Sequence, residues 1–96
     1  MKKEIYITIL YDYYESLLKE DDKKYFKDYY FENLSLSEIS ENNDISRAAI
    51  HKRIKKVEQA LESFESKLKL YDKEKKIMSL IKDEELKEKI KNILNN

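Results

Sequence analysis

Leu36-Ser37-Glu38-Ile39-Ser40-Glu41-Asn42-Asn43-Asp44-Ile45-Ser46-Arg47-Ala48-Ala49-Ile50 is the stretch on which the fold turns. Ser35 stands immediately before it and Glu38 three residues after that, the arrangement of a capping box that opens a helix. Leu36 and Ile39 then face inward. Asn42-Asn43-Asp44 is the one strong turn signal of the chain, built from residue types that tolerate the left-handed conformation. Asp44 holds the position most often given to Gly, and Asn43 the position before it that is usually apolar. Ser46 caps the next helix. A short helix, a tight turn and a second helix make a helix-turn-helix. In it Ser40 is small where the helices approach, and Ile39, Ile45, Ile50 and Ile54 form a shared core.

The rest of the chain reads as helix as well. Gly and Pro are both absent, so tight hairpins are scarce and an all-β fold is excluded in practice. Residues 5–18 form a first helix, with Leu10, Tyr13, Tyr14, Leu17 and Leu18 at helical spacing. Asp21-Asp22 offers the cap for a second, with Tyr25, Phe26, Tyr29 and Tyr30 as its apolar positions. These tyrosines suit core packing better than base stacking. From Ser46 no breaker appears until about Asp72, and Ile50, Ile54, Val57, Leu61, Phe64, Leu68 and Tyr71 follow at steps of 4, 3, 4, 3, 4 and 3. Glu58, Glu62, Glu65 and Lys67 read as the solvated flanks of this seam. The remainder carries Ile77, Leu80, Ile81, Leu86, Ile90, Ile93 and Leu94, with Asp83 as a cap between two helices.

The expected architecture is therefore all-α: a helix-turn-helix head over residues 1–56, and a helical dimerisation extension over 57–96. The 22 residues from Ile50 to Tyr71 span ~33 Å at 1.5 Å per residue. A three-helix head covers only the first turns of such a helix. Val57, Leu61, Phe64, Leu68 and Tyr71 are then an exposed stripe that needs a partner. The partner is the C-terminal helix folding back or the same helix of a second subunit, and a homodimeric bundle is expected.

Ninety-six residues, no Cys and one His leave little room for catalytic chemistry. There is no thiolate, no metal-ligand cluster, no nucleophile paired with a base and no glycine-rich phosphate loop. The expectation is a protein that is not an enzyme, with no cofactor, no metal and no small-molecule substrate. The apolar run from Ile5 to Tyr11 is too short to span a membrane, so no membrane insertion is expected and the cytoplasm is the expected compartment.

The 20 basic and 20 acidic residues cancel, which argues against strong non-specific binding to duplex DNA. The charge is nevertheless segregated. Arg47, Lys52, Arg53, Lys55 and Lys56 fall within ten residues that contain no acid, with His51 among them. Ser46, Arg47, His51, Lys52, Lys55 and Lys56 are the candidate nucleic-acid contacts. Lys52 and Lys56 suit phosphates and Arg47 suits a base edge.

Tyr11-Asp12-Tyr13-Tyr14-Glu15-Ser16-Leu17-Leu18 resembles the opening of the YlxM family of bacterial helix-turn-helix proteins. Tyr29-Tyr30 followed by Leu34 to Ile39 is similar as well, as are Ile45 to Ile50, Ile54-Lys55, and Glu58 through Leu70. The likeness covers about residues 9–72 in order. It implies a fold like region 4 of sigma factors and a regulatory or accessory role in the signal recognition particle pathway, whose GTPase gene typically lies beside that of the family. The implied partners are that GTPase or the particle's RNA. The motif chemistry alone leaves a DNA-binding transcriptional regulator open.

Overall fold

The computed structural model describes residues 1–95, and among these every regular element is helical. The order is α1 (Lys3–Tyr14), a 3-10 turn (Glu15–Leu17), α2 (Glu20–Tyr30), α3 (Leu36–Asn43), α4 (Arg47–Leu68), α5 (Leu70–Ser79) and α6 (Glu84–Leu94). The molecule measures 50 × 24 × 24 Å, with α4 as its spine.

α1 buries Ile7, Leu10, Tyr11 and Tyr14, the i, i+3, i+4, i+7 stripe of an amphipathic helix. It stops earlier than the sequence suggests, because Glu15 to Leu17 tighten into a 3-10 turn that redirects the chain. α2 starts at Glu20, one residue before the expected cap, with Lys19 at the N-cap and no side-chain cap bond. Glu20, Asp21 and Asp22 lie in its first turn, where acids complement the helix dipole.

Two apolar clusters meet along α4. Ile7, Leu10, Tyr11, Tyr14, Phe26, Val57 and Leu61 form one, and Tyr25, Ile39, Ile50 and Ile54 form the other. Ile45 packs against the second cluster from the turn, as expected for a residue of the shared core. The rings of Tyr11, Phe26 and Tyr30 are stacked in series, with centroids 4.8 and 4.5 Å apart. Of the tyrosines read as core, Tyr14 and Tyr25 are buried and Tyr13 and Tyr30 half-buried. Tyr29 departs from that reading and stays exposed, edge-on to Tyr30.

The seam is where structure and expectation part. Val57 and Leu61 are buried inside their own chain, and Phe64 and Tyr71 pack on the same cluster. α1 covers them, lying along α4 well beyond the first turns. Leu68, at the end of the seam, is exposed. The packing thus runs through the boundary drawn at 56–57 and continues along α4 as far as Phe64 and Glu65. The expected head covers only the first turns of this helix, but a heptad seam is equally satisfied by another helix of the same chain, and α1 reaches further along it.

α4 also ends sooner than its lack of breakers suggests. Lys69 adopts the left-handed conformation (φ 56°, ψ 35°), and its N–H still donates to the Glu65 carbonyl at 2.9 Å. α5 begins at the next residue with no cap from Lys69 itself. Its first three N–H groups are taken up by distant side chains. Leu70 N–H donates to the Tyr14 hydroxyl (3.1 Å), and Tyr71 and Asp72 N–H donate to the Glu65 carboxylate (3.2 and 3.1 Å). Tyr14 in turn donates to Glu65 at 2.5 Å. Glu65, expected among the solvated flanks, is buried as the cap of the following helix. Asp83 divides the C-terminal region as expected, accepting from the N–H groups of Glu85 and Leu86.

Candidate nucleic-acid interface

The interface is built on the turn between α3 and α4. Ser35 and Glu38 close the capping box in both directions, at 3.1 and 3.0 Å. At the other end of α3, Asp44 takes the left-handed conformation (φ 53°) and the chain reverses. Ile45 N–H bonds to the Ser40 carbonyl at 3.2 Å, and the Ser40 hydroxyl donates to the Ile45 carbonyl. Asn43, which replaces the usual apolar residue, spends its side chain on the same task and donates to the Ile39 carbonyl at 2.8 Å. Polar locking thus does here what apolar packing and Gly do in other turns.

Ser46 then caps α4, its hydroxyl accepting from Ala49 N–H at 3.1 Å. Ser46, Arg47, His51, Lys52, Lys55 and Lys56 are all exposed around the first turns of α4. Within it they divide. Arg47, His51 and Lys55 recur every four residues down one flank, while Lys52 and Lys56 form a second row. The second row faces away from Ile50, Ile54 and Val57, which hold α4 to the core.

The flank is less free than the row. Lys55 pairs with Glu58 at 3.3 Å, and Glu58, another expected solvated flank, is buried. Tyr30 donates its hydroxyl to the second Glu58 oxygen at 2.6 Å. Burial, and then this bond to Glu58, raise the Tyr30 phenol well above its ordinary value, so it stays a hydrogen-bond donor. A cavity of about 130 Å³ opens beside His51 and Lys55, closed by Glu4, Tyr29, Tyr30 and Leu36. Its mixture of acids and bases makes it a poor anion trap.

Arg53 does not join the basic surface. Its side chain turns toward α2, 3.9 Å from Asp22 and 5.2 Å over the Tyr25 ring. The structure therefore assigns this charge to holding α4 against α2. Sequence reasoning had one clue to it: Arg53 is adjacent to Ile54 and three residues after Ile50, on the edge of the apolar face. A comparable clue marks the two buried acids, since Glu58 and Glu65 are seven residues apart beside the seam.

The geometry is that of a locked helix-turn-helix, and comparison with known proteins gives its lineage. Residues 1–96 match the family model UPF0122, described as "Putative helix-turn-helix protein, YlxM / p13 like". The chain belongs to this family. A UPF0122 protein of Malacoplasma penetrans is 47% identical over 83 residues, covering 83% of this chain and 78% of the relative. One from Ureaplasma parvum serovar 3 is 42% identical over 94 residues, with 95% of each chain covered. One from Clostridium botulinum is 46% identical over 93 residues, covering 93% of this chain and 84% of the relative. Membership agrees with the resemblance read from the sequence and extends it past residue 72 to the C-terminal helices. No helix among the described residues is long and apolar enough to cross a membrane.

Proposed function

We propose that this UPF0122 protein is a cytoplasmic, non-catalytic regulatory module that contacts nucleic acid through the first turns of α4. In this reading it is an accessory factor of the signal recognition particle, engaging the particle's RNA or its GTPase. The observation that carries the first part is the exposed row of Lys52 and Lys56, unpaired among the described residues, beside Arg47 and the capped start of α4. Lys52 and Lys56 supply phosphate contacts, and Arg47 is the residue placed to reach a base. The link to the particle rests on the likeness to the YlxM family.

With RNA as ligand, the contacts are to phosphates and shape, because the deep, narrow major groove of A-form RNA admits a recognition helix poorly. The overall net charge of zero is consistent with an interaction limited to this patch. Binding of the particle's RNA, of its GTPase and of genomic duplex DNA is measured side by side across a salt series. Lys52→Glu with Lys56→Glu is expected to weaken RNA binding and to reduce the salt slope by roughly one per lysine. Unchanged affinity and slope would refute the lysine contacts.

The locked turn favours a second reading, a DNA-binding transcriptional regulator in the same family fold. A sequence-specific operator, with half-sites about 34–36 Å apart if two heads bind together, would decide for it. Capture of the particle without any sequence-specific DNA shift would decide against it.

A further inference from the structure

α6 is an amphipathic helix whose apolar side is covered only in part, with Ile90 half-buried at its middle. Leu86, Ile90, Ile93 and Leu94 recur at i, i+4, i+7 and i+8, yet α6 buries none of its residues. Ile93 is 73% exposed, and Leu86 and Leu94 are each 46% exposed. Leu80, in the connection before α6, is 83% exposed. No described residue closes over Leu86, Ile93 and Leu94. Leu94 and Lys91 face Ile9, Tyr13 and Leu70 across an open cleft of about 770 Å³, so α6 lies beside α1 without packing tightly on it.

The charges of α6 say what covers it. Glu84, Glu85 and Glu88 stand toward its start and Lys89 and Lys91 toward its end, with Lys87 alone out of order. A helix that is acidic at one end and basic at the other is complementary to a reversed copy of itself. The two helix dipoles then also run in opposition. Two pairs within the helix, Lys87–Glu84 at 3.4 Å and Lys89–Glu85 at 3.5 Å, use some of these charges. Such exposed pairs are weak and exchange readily for others.

We propose that α6 is the homodimerisation element of this protein. It packs antiparallel on α6 of a second copy about a two-fold axis, with Leu86 of each copy against Ile93 of the other. The seam residues Val57 and Leu61 take no part, since they are enclosed within each subunit. An 11-residue helix is about 16 Å long. It covers less than the roughly 800 Å² per partner of a stable interface. The dimer is therefore reversible and concentration-dependent. α6 borders the cleft near Tyr13, whereas His51 and Lys55 lie by Lys3 and Glu4 at the other end of α1. Dimerisation through α6 leaves both heads free.

The test is sedimentation equilibrium of the full chain over a range of micromolar concentrations. The expected result is a monomer–dimer equilibrium that Leu86→Glu with Ile93→Glu abolishes while helicity is kept. A wild-type chain that stays monomeric at every concentration overturns the proposal, as does a dimer indifferent to that double substitution. Charge exchange tests the antiparallel geometry. Glu84→Lys with Glu85→Lys, and separately Lys89→Glu with Lys91→Glu, each weaken self-association by roughly tenfold or more. Mixed together, the two variants form a heterodimer. Failure of the mixture to associate overturns the antiparallel pairing.

Discussion

Tyr14 and Glu65, 51 residues apart in the chain, decide how the C-terminal helices leave the head. A buried carboxylate is tolerated where its oxygens are hydrogen-bonded, and Glu65 accepts from the Tyr14 hydroxyl and from two backbone N–H groups. Tyr14→Phe removes the donor to Glu65 and leaves the Leu70 N–H without its acceptor. It is expected to cost about 1.5–3 kcal/mol, the range for hydrogen bonds to charged groups, read from urea denaturation. Glu65→Ala is expected to cost more, because it strands the Tyr14 hydroxyl together with the first turn of α5.

The same residue predicts behaviour in alkali. Burial, and then the bond to Glu65, push the Tyr14 phenol from its ordinary 10.0 up to about 12. Burial, with the Glu15 carboxylate nearby, does the same to Tyr11. The folded state therefore keeps protons that the unfolded chain gives up at about pH 10. This contribution to stability is complete below that pH and is lost as the pH rises toward 12. Denaturation midpoints measured between pH 9 and 12 should fall over that window, and the fall should be shallower in Tyr14→Phe.

The elements show which helix boundaries a sequence declares. α3, α4 and α6 announce their starts through Ser35, Ser46 and Asp83, because a capping side chain acts within three residues of itself. The end of α4 announces nothing. Lys69 is an ordinary helix former, and its left-handed backbone is held by contacts that Glu65 and Tyr14 make with the turn beyond. Left-handed geometry costs a side-chain-bearing residue roughly 1–2 kcal/mol. Lys69→Gly is therefore expected to stabilise the fold by about 1 kcal/mol, visible as a raised urea midpoint. A lowered midpoint would show that the lysine side chain contributes more than its backbone costs.

At the scale of the whole molecule, α1 converts the long seam from an interface between subunits into a core within one. Leu61 is fully buried in the cluster that α4 shares with α1 and Phe26, and Leu61→Ala is expected to cost about 2–5 kcal/mol in a denaturation measured on the monomer. A cost below about 1 kcal/mol, the range of exposed positions, would contradict that enclosure. The basic surface is similarly a product of the assembly. Five positive charges stand between residues 47 and 56, and the tertiary structure sorts them. It turns Arg53 onto Asp22 and Tyr25, ties Lys55 to the buried Glu58, and leaves Lys52 and Lys56 as the open row with Arg47 exposed at the start of α4.

The sequence by itself determined the helical class, the helix-turn-helix with its caps and turn, the family, and the exposure of the six candidate contacts at the head of α4. The family follows from the likeness of residues 9–72 to its members, and the rest from interactions spanning no more than a few residues: capping boxes, left-handed turn residues, and the 3.6-residue period of apolar side chains. Only the tertiary structure decided what covers Val57 and Leu61, where α4 ends, and which charges are buried. Those depend on Tyr14 meeting Glu65, Tyr30 meeting Glu58, Asp22 meeting Arg53 and α1 lying along α4. An apolar stripe records that it needs a partner, but its pattern is the same whether that partner is a helix of its own chain or of another.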